Sequence, residues 1–219
     1  MTAPEARLLP LGEEAWILTL GDRIESGLHE RVVAVASLIG AAALPGVREI
    51  VPGYTTVTVS FDSARANAEQ LRATLERLLA ESPVGRAAPS PRTVDIPVRY
   101  DGPDLEEVAV RTGLSRSTVV ERHSARPYRV YLLGFAPGFA YLGELDPSLE
   151  LPRRQSPRTR VPPGSVAIAG LQTAVYPLAT PGGWHLIGTT SLRLFDPASE
   201  PPALLRVGDR VRFVPVAVP

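Results

Sequence analysis

Pro and Gly punctuate the second half of this chain too often for long helices to form. Short β-type runs, YRVYLLGF (128–135), SVAIAG (165–170), QTAVYPL (172–178), WHLIGTT (184–190), LRLF (192–195) and DRVRFVPV (209–216), are separated by Pro137-Gly138, Pro163-Gly164 and Pro181-Gly182-Gly183. Proline presets φ for a turn and glycine supplies the positive φ that the next position needs. Many short strands at this spacing predict an all-β barrel or sandwich with stiff loops.

The first half reads differently. EEAWILTL (13–20) is a strand, and Glu25 to Leu44 is a helix in which Leu28, Val32, Val35, Ala36 and Ile39 recur at helical spacing until Pro45-Gly46 stops it. His29 falls on its solvated side. VREIV (47–51) and TTVTVSFD (55–62) are two strands joined at Pro52-Gly53-Tyr54. Asn67 to Glu81 is a second amphipathic helix with Leu71, Leu75, Leu78 and Leu79. RTVDIPVRY (92–100) is a further strand, placed at an edge or bulge by Pro97. The order strand-helix-strand-strand-helix-strand is that of a ferredoxin-like α+β unit. A Pro/Ala/Ser linker, SPVGRAAPSP (82–91), precedes the last strand, which can serve either neighbour. These readings divide the chain into an α+β domain at 1–88 and a β-rich domain at 89–219.

Residues 104–125, DLEEVAVRTGLSRSTVVERHSA, form two short helices around Thr112-Gly113, with Ala109, Gly113 and Val119 at helix-turn-helix spacing. Arg116, Arg122 and His123 are a thin charge for reading DNA, Glu121 offsets them, and the whole chain has a formal charge of zero. A structural helical hairpin on the flank of the next domain is the better reading, and no nucleic-acid partner is expected.

Composition excludes several chemistries. There is no Cys, hence no disulfide framework, thiolate metal site or cysteine nucleophile, and no two His stand at metal-ligand spacing. All 23 cations are Arg. The absence of Lys removes a Schiff-base lysine, a P-loop lysine and a biotin-accepting lysine. Walker A, dinucleotide and GxSxG motifs are also missing. No apolar run reaches the ~18 residues of a membrane span and the start lacks a signal-peptide layout, so the expectation is a cytoplasmic protein without a membrane partner.

One segment invites a chemical reading. Arg153, Arg154, Arg158 and Arg160 fall within eight positions that contain no acid. Pro152 and Pro157 steer the residue before each of them into an extended conformation, which presents successive guanidinium forks from a stiff edge. Such forks bind carboxylate or carbamate oxygens bidentately. Phe135, Phe139 and Tyr141 would wall a small planar substrate, and backbone N–H groups around Gly138 and Gly164 would face an oxyanion. The opposing reading pairs these Arg with Glu144, Asp146 or Glu150 along the loop. Arg154 and Arg158, facing the Phe135–Phe139 turn, are the expected pocket wall.

GFAPGFAYLGEL, PRRQSPRTRVPPGSVAIAG, TPGGWHLIGTT and VGDRVRF, in this order, resemble the allophanate hydrolase subunit 1 family, which includes the B subunit of bacterial 5-oxoprolinase and the sporulation kinase inhibitor KipI. VPGYTTVTVSFD and IPVRYDGPDLEEVA extend the resemblance over nearly the whole chain. The resemblance implies an N-terminal ferredoxin-like domain followed by a cyclophilin-like β-barrel, a half of a carboxyltransferase domain. It implies a non-autonomous subunit of an ATP-dependent 5-oxoprolinase, working with a subunit 2 partner and, in one arrangement, a third subunit. ATP is then expected at the level of the complex and no cofactor in this chain. Two alternatives stay open: a regulator that docks on a histidine kinase, and a carboxyltransferase half in a urea carboxylase or allophanate hydrolase system. The resemblance also places a His-Ser pair at His123 and Ser124, where His123 is a candidate general base or a structural cap. His185 follows the TPGGW turn, beside Trp184.

Overall fold

The computed structural model describes residues 6–81 and 91–217, so most of the expected 82–91 linker lies outside them. The chain divides into two compact units, Met1–Pro91 and Arg92–Pro219. No helix among the described residues is long and apolar enough to cross a membrane.

The first unit runs β1 (Arg7–Pro10), β2 (Ala15–Thr19), α1 (Ser26–Ala41), β3 (Val47–Pro52), β4 (Thr56–Phe61) and α2 (Ala68–Glu81). Its antiparallel sheet has the order β1-β2-β4-β3. Strands β2 and β4 alternate strictly between buried and half-buried positions, so one sheet face carries Trp16, Leu18, Val57, Val59 and Phe61 against Val32, Val35 and Ile39 of α1 and Leu71 and Leu75 of α2. This is a ferredoxin-like layer with one substitution. The place beside β2 goes to the N-terminal strand β1, paired from Arg7↔Thr19 to Pro10↔Trp16, and not to the strand after α2. The short RLLP run carried no alternation by which to recognise it. His29, expected on the solvated side of α1, is fully buried.

The second unit takes the strand that the linker left undecided. It contains β5 (Thr93–Val98), α3 (Leu105–Thr112), α4 (Arg116–Ser124), β6 (Tyr128–Leu133), β7 (Ala140–Gly143), a 3-10 turn at Pro147–Leu149, β8 (Arg158–Val161), β9 (Ser165–Ala169), β10 (Gln172–Val175), β11 (Thr180–Gly182), β12 (His185–Thr189) and β13 (Arg210–Pro215). Seven strands form one sheet in the order β12-β9-β10-β7-β6-β13-β5, and β8 with β11 forms a separate ribbon. Strand β5 lies at the end of the sheet, parallel to β13, which tolerates Pro97. LRLF (192–195) forms no strand; Phe195 makes only an isolated bridge to Ala203.

The two ends of this sheet meet. Arg99 and Thr189 exchange backbone hydrogen bonds of 2.9 and 2.7 Å, and the chain then follows β12 through Gly102 N to Ile187 O and Asp104 N to Leu186 O. The result is a nearly closed barrel with its edges paired. Two glycines make this approach possible. A Cβ on Gly102 would stand 2.4 Å from the Ile187 carbonyl carbon, and one on Gly188 would stand 2.5 Å from the Arg99 oxygen.

Strand β9 is buried on both faces because each has its own cover. Val166 and Ile168 join the main cluster with Ile96, Val98, Tyr128, Leu142, Val211, Phe213 and the helix residues Leu105, Val108 and Val119. Ala167 and Ala169 face a smaller cluster of Phe139, Val161, Tyr176, Trp184 and Leu186. The expected helical hairpin forms, ended by Gly113 at φ 69° and restarted by Ser115, whose hydroxyl accepts from Thr118 N–H. It packs on β12 and β13 through its apolar residues.

The seam generates a test. Gly188→Ala should lower stability by about 2 kcal/mol or more, because backbone rather than a flexible side chain must move. Gly27→Ala in α1, where a Cβ meets nothing within 4 Å, should be neutral or stabilising. Calorimetric melting of both variants checks this, and equal melting would contradict the seam.

Candidate functional site

Asp104 organises the site from the seam side. It stands at the N-terminus of α3, but its carboxylate makes no cap bond to that helix. Instead Oδ2 accepts the Leu186 N–H of β12 at 2.7 Å, while Oδ1 accepts from Arg154 Nη1 at 3.2 Å and from Arg158 Nη2 at 2.6 Å. Only 5% of this side chain is exposed. One turn along α3, Glu107 takes a second bond from Arg154 Nη1 at 2.6 Å. The Arg154 guanidinium holds the Glu107 carboxyl below its ordinary range, and Glu107 in turn raises Arg154.

The extended Arg–Pro ladder is therefore real, but two of its arginines face inward to α3. Arg154 is further tied by its backbone N–H to Gly183 O at 2.8 Å. This corrects both expectations for Arg154 and Arg158. They do not wall the aromatic cleft, and their acids are not those of the loop. Asp146 is engaged by Arg126 and Ser148, and Glu144 accepts from the Tyr131 hydroxyl.

Arg153, the ladder's outward-facing neighbour, joins the aromatics. With Phe135, Phe139, Tyr141, Tyr176, Pro181, Gly182, Gly183 and Trp184 it lines a cleft of about 100 Å³. Phe139 is the hub: its ring meets Phe135 at 5.2 Å, Tyr141 at 4.9 Å, Tyr176 at 5.3 Å and Trp184 at 5.9 Å, all edge to face. Such pairs add about 0.5–1.5 kcal/mol each beyond area burial and fix the ring orientations. The Arg153 guanidinium lies 5.9 Å from the Trp184 ring centre, a cation–π placement. Phe135 is 60% exposed and has φ 70°, a left-handed conformation costly for a side chain of this size. The turn beneath it closes through Gly134 N–H to Phe139 O and Phe139 N–H to Ala136 O.

The two glycines expected to face an oxyanion have other duties. Gly138, at φ 76°, fits against Phe195, whose Cβ would lie 2.7 Å from an added Cβ. Gly164 donates its N–H to Tyr176 O at 2.7 Å and packs on the Thr190 carbonyl, at an opening separate from the aromatic cleft.

His123 is also placed elsewhere. It is wholly buried, stacked 4.5 Å from Phe213. Thr173 Oγ1 donates to Ala167 O, so it accepts from His123 Nε2–H at 2.8 Å, and Nδ1 accepts from the Tyr100 hydroxyl at 2.8 Å. Burial pushes its pKa down to about 3. A neutral imidazole with both nitrogens occupied and no solvent access is a structural residue, not a general base for the cleft. His185 is buried too, its Nε2 donating to Pro152 O at 2.9 Å.

Of the expected residues, Phe135, Phe139, Tyr141 and Arg153 line the cleft, Gly138 stands in the same turn next to Phe139 without lining it, and His123, Arg154, Arg158 and Gly164 lie outside the lining. Tyr176, Trp184 and the Gly182-Gly183 rim complete the cleft. Their signal was visible as an aromatic at the end of QTAVYPL and another after the TPGG turn, but no local spacing pairs them with Phe139.

His123 gives a pH prediction. Below its ordinary value of 6.5 the unfolded chain takes up a proton that the folded one refuses until about pH 3. The stability from the buried neutral ring is complete above pH 6.5 and is lost on acidification, by about 1.4 kcal/mol per pH unit within that window. Between pH 7 and 5 the melting temperature should fall more steeply in the native protein than in His123→Gln. Parallel slopes would contradict the assignment.

Known proteins share this architecture. The carboxyltransferase domain family, subdomain C and D, matches residues 6–205. The B subunit of the Escherichia coli O157:H7 5-oxoprolinase is 47% identical over 213 residues, which is 96% of either chain. The solved structure of TTHA0988 superposes with a TM-score of 0.84 at 45% identity, covering 94% of this chain and 40% of that longer one. The urea carboxylase of Kluyveromyces lactis shares the fold, with a TM-score of 0.74 at 19% identity, over 97% of this chain and 22% of its own.

Proposed function

The chain belongs to the carboxyltransferase-domain family, and on that premise we propose that it is a subunit of a 5-oxoprolinase system, supplying a substrate-facing wall rather than a complete catalytic set. The observation that carries this reading is the aromatic cleft with Arg153 at its rim, in a chain 47% identical to the B subunit of a 5-oxoprolinase. The ring walls exclude water and hold a flat amide ring by its faces. Arg153 offers a charge-assisted donor for an acidic group on that ring.

Proton transfer is assigned to a partner. His123 and His185 are both buried, and the rim of the cleft presents aromatic rings, a guanidinium and backbone. A subunit 2 partner, which a third subunit would join, provides the facing half. The TTHA0988 chain, of which this one matches two fifths, is consistent with a second module working beside this one. ATP is likewise assigned to the partners, since the sequence has neither a Walker A loop nor the lysine that such a loop uses on phosphates.

Two measurements test this. Deleting the gene should abolish growth on 5-oxoproline as nitrogen source, and co-expression with the partner subunits should restore ATP-dependent ring opening that the isolated chain lacks. Within the complex, Arg153→Leu should lower kcat/KM at least tenfold, the equivalent of about 1.4 kcal/mol, with melting nearly unchanged because the side chain is exposed. Growth that survives the deletion would overturn the reading, and loss of growth on urea instead would favour the carboxyltransferase alternative.

A further inference from the structure

Arg153 is exposed on a surface segment, yet its guanidinium lies over one particular ring, 5.9 Å from the centre of Trp184. A long side chain gives up much rotamer freedom to hold one place, so the backbone beneath it has to be fixed against that of the ring. The structure fixes it on both sides. The residue after Arg153 is tied to the residue before Trp184, by Arg154 N–H to Gly183 O at 2.8 Å. The residue before Arg153 is tied to the residue after Trp184, because Pro152 O accepts from His185 Nε2–H at 2.9 Å. The two bonds bracket the cation–π pair.

The second bond is made by a side chain for a reason visible in the backbone. Proline has no N–H, so Pro152 offers only its carbonyl, and from His185 onward β12 pairs with β9. A carbonyl accepts, which puts a hydrogen on Nε2 of the ring. The other nitrogen, Nδ1, stands 3.8 Å from Glu107 Oε1, beyond hydrogen-bond reach. Among the described residues, Pro152 O is therefore the ring's hydrogen-bonded anchor. The ring is wholly buried and is not part of the cleft lining. It acts on the cleft through Pro152 and through its chain neighbour Trp184.

We infer that His185 is a positioning residue for the cleft: its bond to the Pro152 carbonyl, with the Arg154–Gly183 bond on the other side, holds the Arg153 guanidinium over Trp184. The inference deepens the proposed function, on which only the effect on turnover rests. What the position requires is a buried donor, neither a base nor a charge. Glutamine keeps an N–H for the carbonyl, and leucine does not.

The protein has two tryptophans, and Trp16 lies in the core of the other unit. The chain labelled with fluorotryptophan thus gives two fluorine resonances, assigned with Trp16→Phe, of which Trp184 reports the cleft and Trp16 is the reference. Arg153→Leu should move the Trp184 resonance and so mark the position of a ring without its cation. His185→Leu should move it at least halfway to that mark, His185→Gln should leave it in place, and Trp16 should not respond to any of the three. In the complex with the partner subunits, His185→Leu should lower kcat/KM about tenfold and His185→Gln by no more than about twofold. Adding His185→Leu to Arg153→Leu should cost little more than Arg153→Leu alone. A native Trp184 resonance in folded His185→Leu, a folded His185→Gln that behaves like His185→Leu, or additive losses in the double variant overturns the inference. Should His185→Leu fail to fold, the native chain decides: proton–nitrogen NMR should show the His185 Nε2–H protected from exchange with solvent, and rapid exchange overturns the bond. Fluorine shifts as described, with turnover indifferent to both Arg153 and His185, leave the positioning role standing and overturn the part that the proposed function gives Arg153.

Discussion

A single carboxylate, that of Asp104, joins three parts of the barrel unit that are distant in sequence. It receives a backbone N–H from β12 and guanidinium groups from two points on the Arg–Pro ladder, while its own backbone continues the seam that closes the sheet. Without it, Arg158 would lose its carboxylate partner and Arg154 would keep only Glu107, and a partly buried charge that loses its partner is destabilising. With it, the ladder is pinned to α3, and Pro157 and the Arg154 carbonyl come to rest against Gly183. The cleft's glycine rim and Trp184 follow directly in the chain. The position of the aromatic wall is thus a consequence of an ion network behind it.

That relation explains what was readable from the amino-acid order. Alternation on β4 and helical spacing on α1 and α2 announced their elements, and Pro–Gly pairs marked the turns of the barrel. The extended ladder was legible too, because Pro152 and Pro157 act on their immediate neighbours. Its partners were not. Asp104 lies some fifty residues upstream of Arg154 and Arg158, and loop acids such as Asp146 were nearer candidates that turned out to be held by Arg126 and Ser148. The same limit applies to Tyr176 and Trp184, which reach Phe139 only through the barrel. Local chemistry is written locally; the pairing of a charge with its counter-charge is set by topology.

His123 illustrates the converse error. A histidine next to a serine, near neutral pH, suggests proton transfer when read in isolation. In the fold the ring is one link in a chain of donors from Tyr100 through Thr173 to Ala167, and its burial makes it part of the core. Among the described residues the aromatic rings and Arg153 gather into a cation-rimmed cleft, and the proposed role as one wall of a shared site rests on it. The left-handed Phe135 at its mouth fits this account, since strained exposed residues persist where the surrounding structure over-determines them.

The dependence of the ladder on Asp104 can be measured without any partner or ligand. A double-mutant cycle with Asp104→Asn and Arg158→Met, read as unfolding free energy in denaturant, isolates the coupling between the two side chains. The account predicts a coupling of about 2–3 kcal/mol, with Asp104→Asn alone the most damaging change because it leaves Arg158 without its carboxylate and Arg154 with Glu107 alone. Additive effects, with a coupling below about 0.5 kcal/mol, would show that the carboxylate does not hold the ladder, and the cleft's position would need another cause.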